Sequence, residues 1–195
     1  YDFASSTLDW AAIENALSNA KAGDALLIQA GCHNPTGADP NADQWRRIGE
    51  ICQKQGLLPL IDSAYQGLGN GLDEDVAGLR ILVDAVDEAI ITYSCDKNFG
   101  LYRDRVGALW VKSGLKRLEA VRSNLFELAR AMWSMPPDHG AAVVRLILES
   151  DTLTAAWHSE LGDMRERINA IRAALSSADR GLSFIANQRG LFAML

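Results

Sequence analysis

Along this chain, apolar positions at helical spacing alternate with short unbroken apolar runs. Leu8, Ala11, Ala12, Ala16 and Leu17 share one face of a helix predicted over 8–22, and Gly23 supplies its stop. Residues 25–30 (Ala-Leu-Leu-Ile-Gln-Ala) follow as a nearly continuous apolar run, the pattern of a buried strand in a parallel sheet. The cycle then repeats with a helix over 40–55 and a run over 57–61 that ends on Asp62. Pro59 lies inside that run and predicts an irregular strand start, because proline has no N–H to give a ladder. A third helix over 73–88, a strand over 89–94 and a fourth strand over 106–111 complete this region. Alternating helix and buried strand predicts an α/β fold: a mostly parallel open sheet flanked by helices, with its ligand crevice at the carboxyl ends of the strands.

Beyond Gly114 the strands nearly disappear. Helices are predicted over 115–132, 141–148 and 153–175, and the last is long enough to connect two domains. Residues 176–181 break it, and 182–186 are expected to open a small second sheet. The expected organisation is a partial large domain over 1–150, then a connecting helix and the start of a smaller domain over 151–195.

Composition narrows the function classes. With 195 residues, 48% of them hydrophobic, the chain can bury a substantial core. Its net charge of −6 argues against a nucleic-acid footprint, since no face can be strongly basic without a still more acidic remainder. Cys32, Cys52 and Cys95 are odd in number, far apart and without histidines at ligand spacing, so neither a disulfide framework nor a zinc site is expected. A reducing, cytoplasmic setting fits that usage. No apolar run approaches the roughly 18 residues that span a membrane, and none resembles a leader. The chain opens on Tyr1 and closes on the apolar stretch 190–195, which reads as a piece cut from a longer protein.

Candidate chemistry gathers at the predicted strand ends. Cys32-His33-Asn34-Pro35-Thr36-Gly37 follows the first strand and forms a turn that presents Asn34, although such residues also make purely structural turns. Asp62 ends the second strand, with Tyr65 three positions on. A carboxylate there needs a partner, either the N-terminus of a following helix or a ligand cation. Ser94, Lys97 and Arg105 fall together after the third strand, two cations and a hydroxyl that suit a phosphate.

These segments, in this order, resemble one family. Cys32 to Gly37, then Asp62-x-x-Tyr65-Gln66-Gly67, then Ser94-x-x-Lys97-Asn98-Phe99-Gly100-Leu101-Tyr102-x-x-Arg105-Val106-Gly107 look like the bacterial aspartate and aromatic amino acid aminotransferases. These are class I, fold type I enzymes dependent on pyridoxal 5'-phosphate (PLP). The resemblance runs on through Arg130-Ala131-Met132-Trp133-Ser134-Met135-Pro136-Pro137 and Met164-Arg165-Glu166-Arg167-Ile168-Asn169, and so covers essentially the whole chain.

The resemblance implies a role for each residue. Lys97 would form the Schiff base with PLP and shuttle the substrate α-proton, for which its amine must shed a proton. Asp62 would pair with the ring nitrogen, Asn34 and Tyr65 would hydrogen-bond the ring oxygen, and Ser94 and Arg105 would bind the phosphate. Asn34, Arg130, Ser134 and Phe192 would face the substrates, an amino acid (aspartate or aromatic) and a 2-oxo acid such as 2-oxoglutarate. Arg130 matches the arginine that reaches a neighbouring subunit's site, which implies a homodimer with shared active sites. Family members also carry a glycine-rich phosphate loop and a stacking aromatic residue before the point matching Tyr1, and an α-carboxylate arginine after Phe192.

Two positions depart from the family pattern. Asp96 stands where a small hydroxyl residue is common, and Met135 where asparagine is usual. The same lysine and aspartate serve PLP decarboxylases and lyases, but residues 98–102 together with Arg130 resemble the aminotransferases specifically. A second reading is a truncated, non-catalytic remnant or interaction module that binds no PLP.

Overall fold

A computed structural model describes residues 1–194 of the chain; Leu195, the last residue of the expected second domain, lies outside the described residues. Helix α1 (Trp10–Asn19) starts later than its apolar spacing indicates, because the Asp9 carboxylate accepts the Ala12 N–H at 2.9 Å and caps it there. Strand β1 (Ala25–Gln29) leads to α2 (Ala42–Gln55), which opens on a reciprocal capping box. Asn41 Oδ1 accepts the Gln44 N–H, and Gln44 Oε1 accepts the Asn41 N–H, both at 2.9 Å. The helix ends on Gly56 in the left-handed conformation, φ 69°, which glycine adopts without Cβ conflict.

Strand β2 (Leu58–Ser63), a 3-10 turn (Glu74–Val76) running into α3 (Ala77–Ala85), and β3 (Ala89–Ser94) follow. The strands lie in chain order, β1-β2-β3-β4, with the first three parallel and β4 (Gly107–Lys112) antiparallel at the edge. An antiparallel return is what a short loop without a crossover helix permits. The loop between β3 and β4 carries Lys97. Pro59 sits inside a regular β2, opposite Leu26 of β1. Leu58 gives its N–H to Asp24 on the β1 side, so the N–H that Pro59 lacks would face β3, where pairing begins only at Leu60 with Ile90. The proline therefore removes no ladder bond, and no irregularity is needed.

One face of the sheet carries the core. Leu17 from α1, Trp45, Ile48, Ile51 and Cys52 from α2, and Leu82 from α3 pack with Ile61 and Ala89. The approach of α2 to α3 depends on Gly78, where any Cβ would collide with the Trp45 indole. The other face, which carries Leu27 and Leu60, is less covered among the described residues, and Leu27 is 69% exposed.

Helix α4 (Leu115–Trp133) buries none of its described residues, and Phe126, Met132 and Trp133 stand exposed on it. Helix α5 (His139–Leu148) joins it to α6 (Asp151–Ala178), which opens two residues before its apolar pattern because Ser150 caps it. No helix among the described residues is long and apolar enough to cross a membrane.

The expected strand over 182–186 is absent; Arg180–Asn187 form a 3-10 helix instead. The Asp179 carboxylate accepts the Gly181 N–H at 2.7 Å and starts the turn, while Ile185 and Gln188 are buried three residues apart. That spacing matches a three-residue turn, and no partner strand lies alongside.

Leu82 is fully buried at the junction of α3 with the sheet. Leu82→Ala is expected to lower unfolding free energy by about 2–5 kcal/mol through lost transfer energy and the cavity left behind. Urea denaturation of the variant and its parent measures the difference; a loss below about 1 kcal/mol would show that the site collapses around the smaller side chain.

Candidate active site

The three parallel strands end together. Gln29, Asp62 and Thr92 are register partners, so their side chains emerge on one rung at the carboxyl edge, on the face opposite Ile61. Thr92 Oγ1 donates to Asp62 Oδ1 at 3.3 Å, and Asp62 Oδ2 makes no hydrogen bond among the described residues. Asp62 caps no helix, since none begins until Glu74, and the Thr92 hydroxyl is its side-chain partner among the described residues. Gln29 Oε1 accepts the Asn34 N–H at 2.6 Å and fixes the turn that follows β1.

That turn presents Asn34 toward β2. Asn34 Nδ2 donates to Tyr65 Oη at 3.2 Å, joining two of the expected residues across 31 positions of sequence. Asp39 holds the turn from behind, its carboxylate accepting the N–H groups of Cys32 (2.8 Å) and His33 (3.0 Å). Burial raises the Asp39 pKa above the usual carboxylate value despite those bonds. Burial also pushes the Cys32 thiol far up, helped by the charges of Asp75 and Asp39, which leaves it protonated and unreactive. The partly buried His33 ring is shifted the other way, below its ordinary value, chiefly by desolvation.

Lys97 comes to the same place from β3. Its ammonium lies 5.1 Å from the centre of the Tyr65 ring and makes no hydrogen bond or ion pair among the described residues. Phe192 packs edge-on against the same tyrosine, with centroids 5.6 Å apart. The lysine's position is set by its neighbour Asn98, which is buried. Asn98 Nδ2 donates to Tyr93 Oη (2.6 Å) and to the Gln66 carbonyl (3.2 Å), and its main-chain carbonyl accepts the Trp157 indole N–H at 2.7 Å. Phe99 stacks on Trp157 at 4.4 Å, so α6 grips the loop from the far side.

Ser94 and Arg105 are also adjacent, but a third residue links them. The Asp96 N–H donates to Ser94 Oγ at 3.2 Å, and Asp96 Oδ2 accepts from Arg105 Nη1 at 2.6 Å.

The structure thus brings Asn34, Asp62, Tyr65, Ser94, Lys97, Arg105 and Phe192 to one edge of the sheet. Arg130 and Ser134 stand apart. Arg130 is exposed in the last turn of α4, Ser134 follows with its N–H on the Arg130 carbonyl at 3.1 Å, and neither touches the group around Lys97. A cavity of about 860 Å³ lies at the opposite end of the strands between Gly23, Gly56, Glu88 and Arg117. No candidate residue lines it, and its carboxylate Glu88 is already paired with Arg117 and Ser113. Convergent polar groups at strand carboxyl ends identify a site better than volume does.

Several supporting residues escape a reading of the sequence. Asp75 accepts the N–H groups of Gly67, Gly69 and Asn70 at 2.7–2.9 Å and shapes the loop after Tyr65. Arg165 donates to the Gly67 carbonyl at 3.0 Å and Asn169 to the Gly69 carbonyl at 3.5 Å. Arg172 donates to the carbonyls of Gly190 and Phe192. The last three recur along one stripe of α6, and polar residues at that spacing facing a packed surface are the signal that could have found them. For Asp75, nothing in the sequence distinguishes it from Asp73 and Glu74 beside it.

Residues 1–195 match the family model described as aminotransferase class I and II. A tyrosine aminotransferase of Rhizobium meliloti (strain 1021) is 47% identical over 200 residues, which cover 100% of this chain and 51% of that protein. An aspartate aminotransferase of Escherichia coli (strain K12) is 43% identical, covering 98% of this chain and 50% of that protein. Among solved structures, an aromatic amino acid aminotransferase with 3-indolepropionic acid superimposes with a TM-score of 0.95 at 39% identity, over 98% of this chain and 51% of that one. The aromatic-amino-acid aminotransferase of Burkholderia pseudomallei, covalently bound to pyridoxal phosphate, does so with a TM-score of 0.94 at 36% identity, over 99% of this chain and 50% of that one. The chain spans about half the length of the curated relatives it matches.

The shift at His33 makes a pH prediction. Its folded pKa lies below the unfolded value of 6.5, so above 6.5 neither state is protonated and the group has no effect. As pH falls below 6.5 the unfolded chain takes up the proton first, and stability declines until the folded pKa is reached. Urea unfolding at about pH 7.5 and about pH 5.5 should show this decline in the parent and a shallower one in His33→Asn. Equal slopes in the two proteins would show that His33 is not its source.

Proposed function

The chain belongs to the class I and II aminotransferases, and on that premise we propose that it serves PLP-dependent transamination between an amino acid, aspartate or aromatic, and a 2-oxo acid such as 2-oxoglutarate. The observation that carries this reading is the state of Lys97. A primary amine with no polar partner among the described residues, laid over the Tyr65 ring within reach of three strand ends, is free to attack a carbonyl. A structural lysine at such a position would be tied to a carboxylate or a carbonyl oxygen.

The surrounding residues fit the cofactor at its ring end. The unpartnered Oδ2 of Asp62 is suited to hold a proton on a ring nitrogen, and the Asn34–Tyr65 pair offers an amide and a phenol to a ring oxygen. When bound, PLP supplies an electron sink that acidifies the substrate α-carbon. The chain's share is to hold the ring's proton through Asp62, to keep ring and substrate in register through Asn34 and Tyr65, and to move the α-proton on Lys97 Nζ. Ser94 and Arg105 take the phosphate. Phe192, packed on Tyr65, forms an apolar wall beside the substrate.

Arg130 and Ser134 lie outside this group, and in this reading they serve the distal carboxylate of a substrate held by a second subunit. The working unit is then a homodimer with shared sites, acting in the cytoplasm. The division into a cofactor-binding part over 1–150 and a connecting helix with the start of a smaller domain over 151–195 belongs to the same proposal.

Titration of the intact protein with PLP, followed by borohydride reduction and peptide mapping, tests it. A reduced adduct on Lys97 is expected, together with loss of that adduct and a drop of several orders of magnitude in transamination rate in Lys97→Ala. Turnover by Lys97→Ala at the parent's rate would remove Lys97 from the mechanism. An intact protein that forms no adduct would instead be a module that does not use the cofactor.

A further inference from the structure

Asp96 is the one position in the candidate site where the residue type contradicts the task assigned to its surroundings. Ser94 and Arg105 are the groups offered to a phosphate, and Asp96 engages both, its N–H on Ser94 Oγ and its carboxylate on the Arg105 guanidinium at 2.6 Å. Its residue is only 7% exposed, and its second oxygen, Oδ1, is buried without a hydrogen-bond partner among the described residues. Among the described residues, a carboxylate in that position has Arg105 as its one ion-pair partner, because the neighbouring Lys97 ammonium lies over the Tyr65 ring. Arg105 is itself held in a left-handed backbone conformation, φ 51°, and donates also to the Tyr102 carbonyl at 3.2 Å. The guanidinium is thus oriented toward Asp96.

We infer that Asp96 is an internal competitor for the phosphate subsite, a specificity-determining residue that lowers affinity for phosphorylated ligands and blunts their advantage over unphosphorylated ones. The inference rests on the reading of Ser94 and Arg105 as phosphate ligands. A phosphate monoester carries nearly two negative charges and needs the Arg105 guanidinium that the Asp96 carboxylate engages, whereas the Ser94 O–H, which only accepts the Asp96 main-chain N–H, stays free to donate. Binding therefore requires the carboxylate to leave Arg105, or else two anions to share one guanidinium at close range in a partly buried loop. Both routes penalise the phosphate and leave the ring end, with Lys97, Asp62, Asn34 and Tyr65, unaffected. A ligand of the same ring chemistry lacking the phosphate meets no such penalty.

The test compares PLP, pyridoxal and inorganic phosphate on the intact protein and on its Asp96→Asn and Asp96→Ser variants. Dissociation constants are read from absorbance and tryptophan fluorescence for the first two ligands and from calorimetry for phosphate. Both variants are expected to bind PLP and inorganic phosphate roughly tenfold or more tightly than the parent, with pyridoxal changed by less than about twofold. Unchanged or weaker PLP and phosphate binding in the variants would overturn the inference and make Asp96 a positioning residue for Arg105. An equal gain for PLP and pyridoxal would also overturn it.

Should neither variant fold, the parent alone decides. A preference for PLP over pyridoxal below about 100-fold supports competition, and one above that overturns it. Failure of the function proposal is distinguishable: it would appear as no borohydride-reducible adduct with either carbonyl ligand in any form of the protein. The phosphate measurement is independent of Lys97 and still reports on Asp96.

Discussion

Parallel pairing of β1, β2 and β3 is the constraint from which the candidate site follows. Because the strands run the same way, their carboxyl ends share an edge, and Gln29, Asp62 and Thr92 fall on one rung of it. Each strand then releases a loop at that edge, and the loops carry Asn34, Tyr65 and Lys97. Residues more than thirty positions apart in sequence come within hydrogen-bond or ring-contact distance without any one loop reaching far. The antiparallel β4 plays a different part. By returning directly from β3 it confines Lys97 and Arg105 to a single loop, so that the expected amine and the expected phosphate ligand share one short connection.

The loops are rigid because their backbone groups are consumed. Asp39 takes two N–H groups behind the first turn, Asp75 takes three in the second loop, and Asn98 ties the third to β3, to Gln66 and to α6. The bonds to the Asp39 and Asp75 carboxylates are charge-assisted and stronger than the neutral ones made by Asn98. Helix α6 acts as a clamp across the assembly, through Trp157 to the Lys97 loop, Arg165 and Asn169 to the Tyr65 loop, and Arg172 to the segment that presents Phe192. The clamp has a cost. Arg172 is buried, with Nε and Nη1 lacking partners among the described residues, and desolvation lowers its pKa.

The two ends of the site differ in how well they match a cofactor. At the ring end stand, among the described residues, an unpaired ammonium, a carboxylate oxygen without a donor, and an amide–phenol pair. At the phosphate end, the positive group is already satisfied by Asp96, and the hydroxyl accepts the same residue's N–H. The Asp96 side chain accounts for the Arg105 part of that difference, while the contact with Ser94 comes from its main-chain N–H.

Much of the fold was legible in the sequence because its signals are local. Apolar runs and helical spacing located all four strands and six α-helices within a few residues, and three ordered motifs singled out Asn34, Asp62, Tyr65, Lys97 and Arg105 at strand ends. The expectation failed at 182–186, where an apolar cluster reads equally as strand or turn, and only the absence of a partner strand decided for the turn. Pro59 likewise looked disruptive until the register showed that its missing N–H faces no ladder. The acids and amides that hold the loops were invisible, since nothing local distinguishes Asp75 from its acidic neighbours. What the residues determined alone was the chemistry available and the order of the elements. Which polar groups are paired, and hence that Lys97 is unpaired while Arg105 is not, was decided by tertiary structure, because hydrogen bonding and burial depend on distances that sequence spacing does not encode.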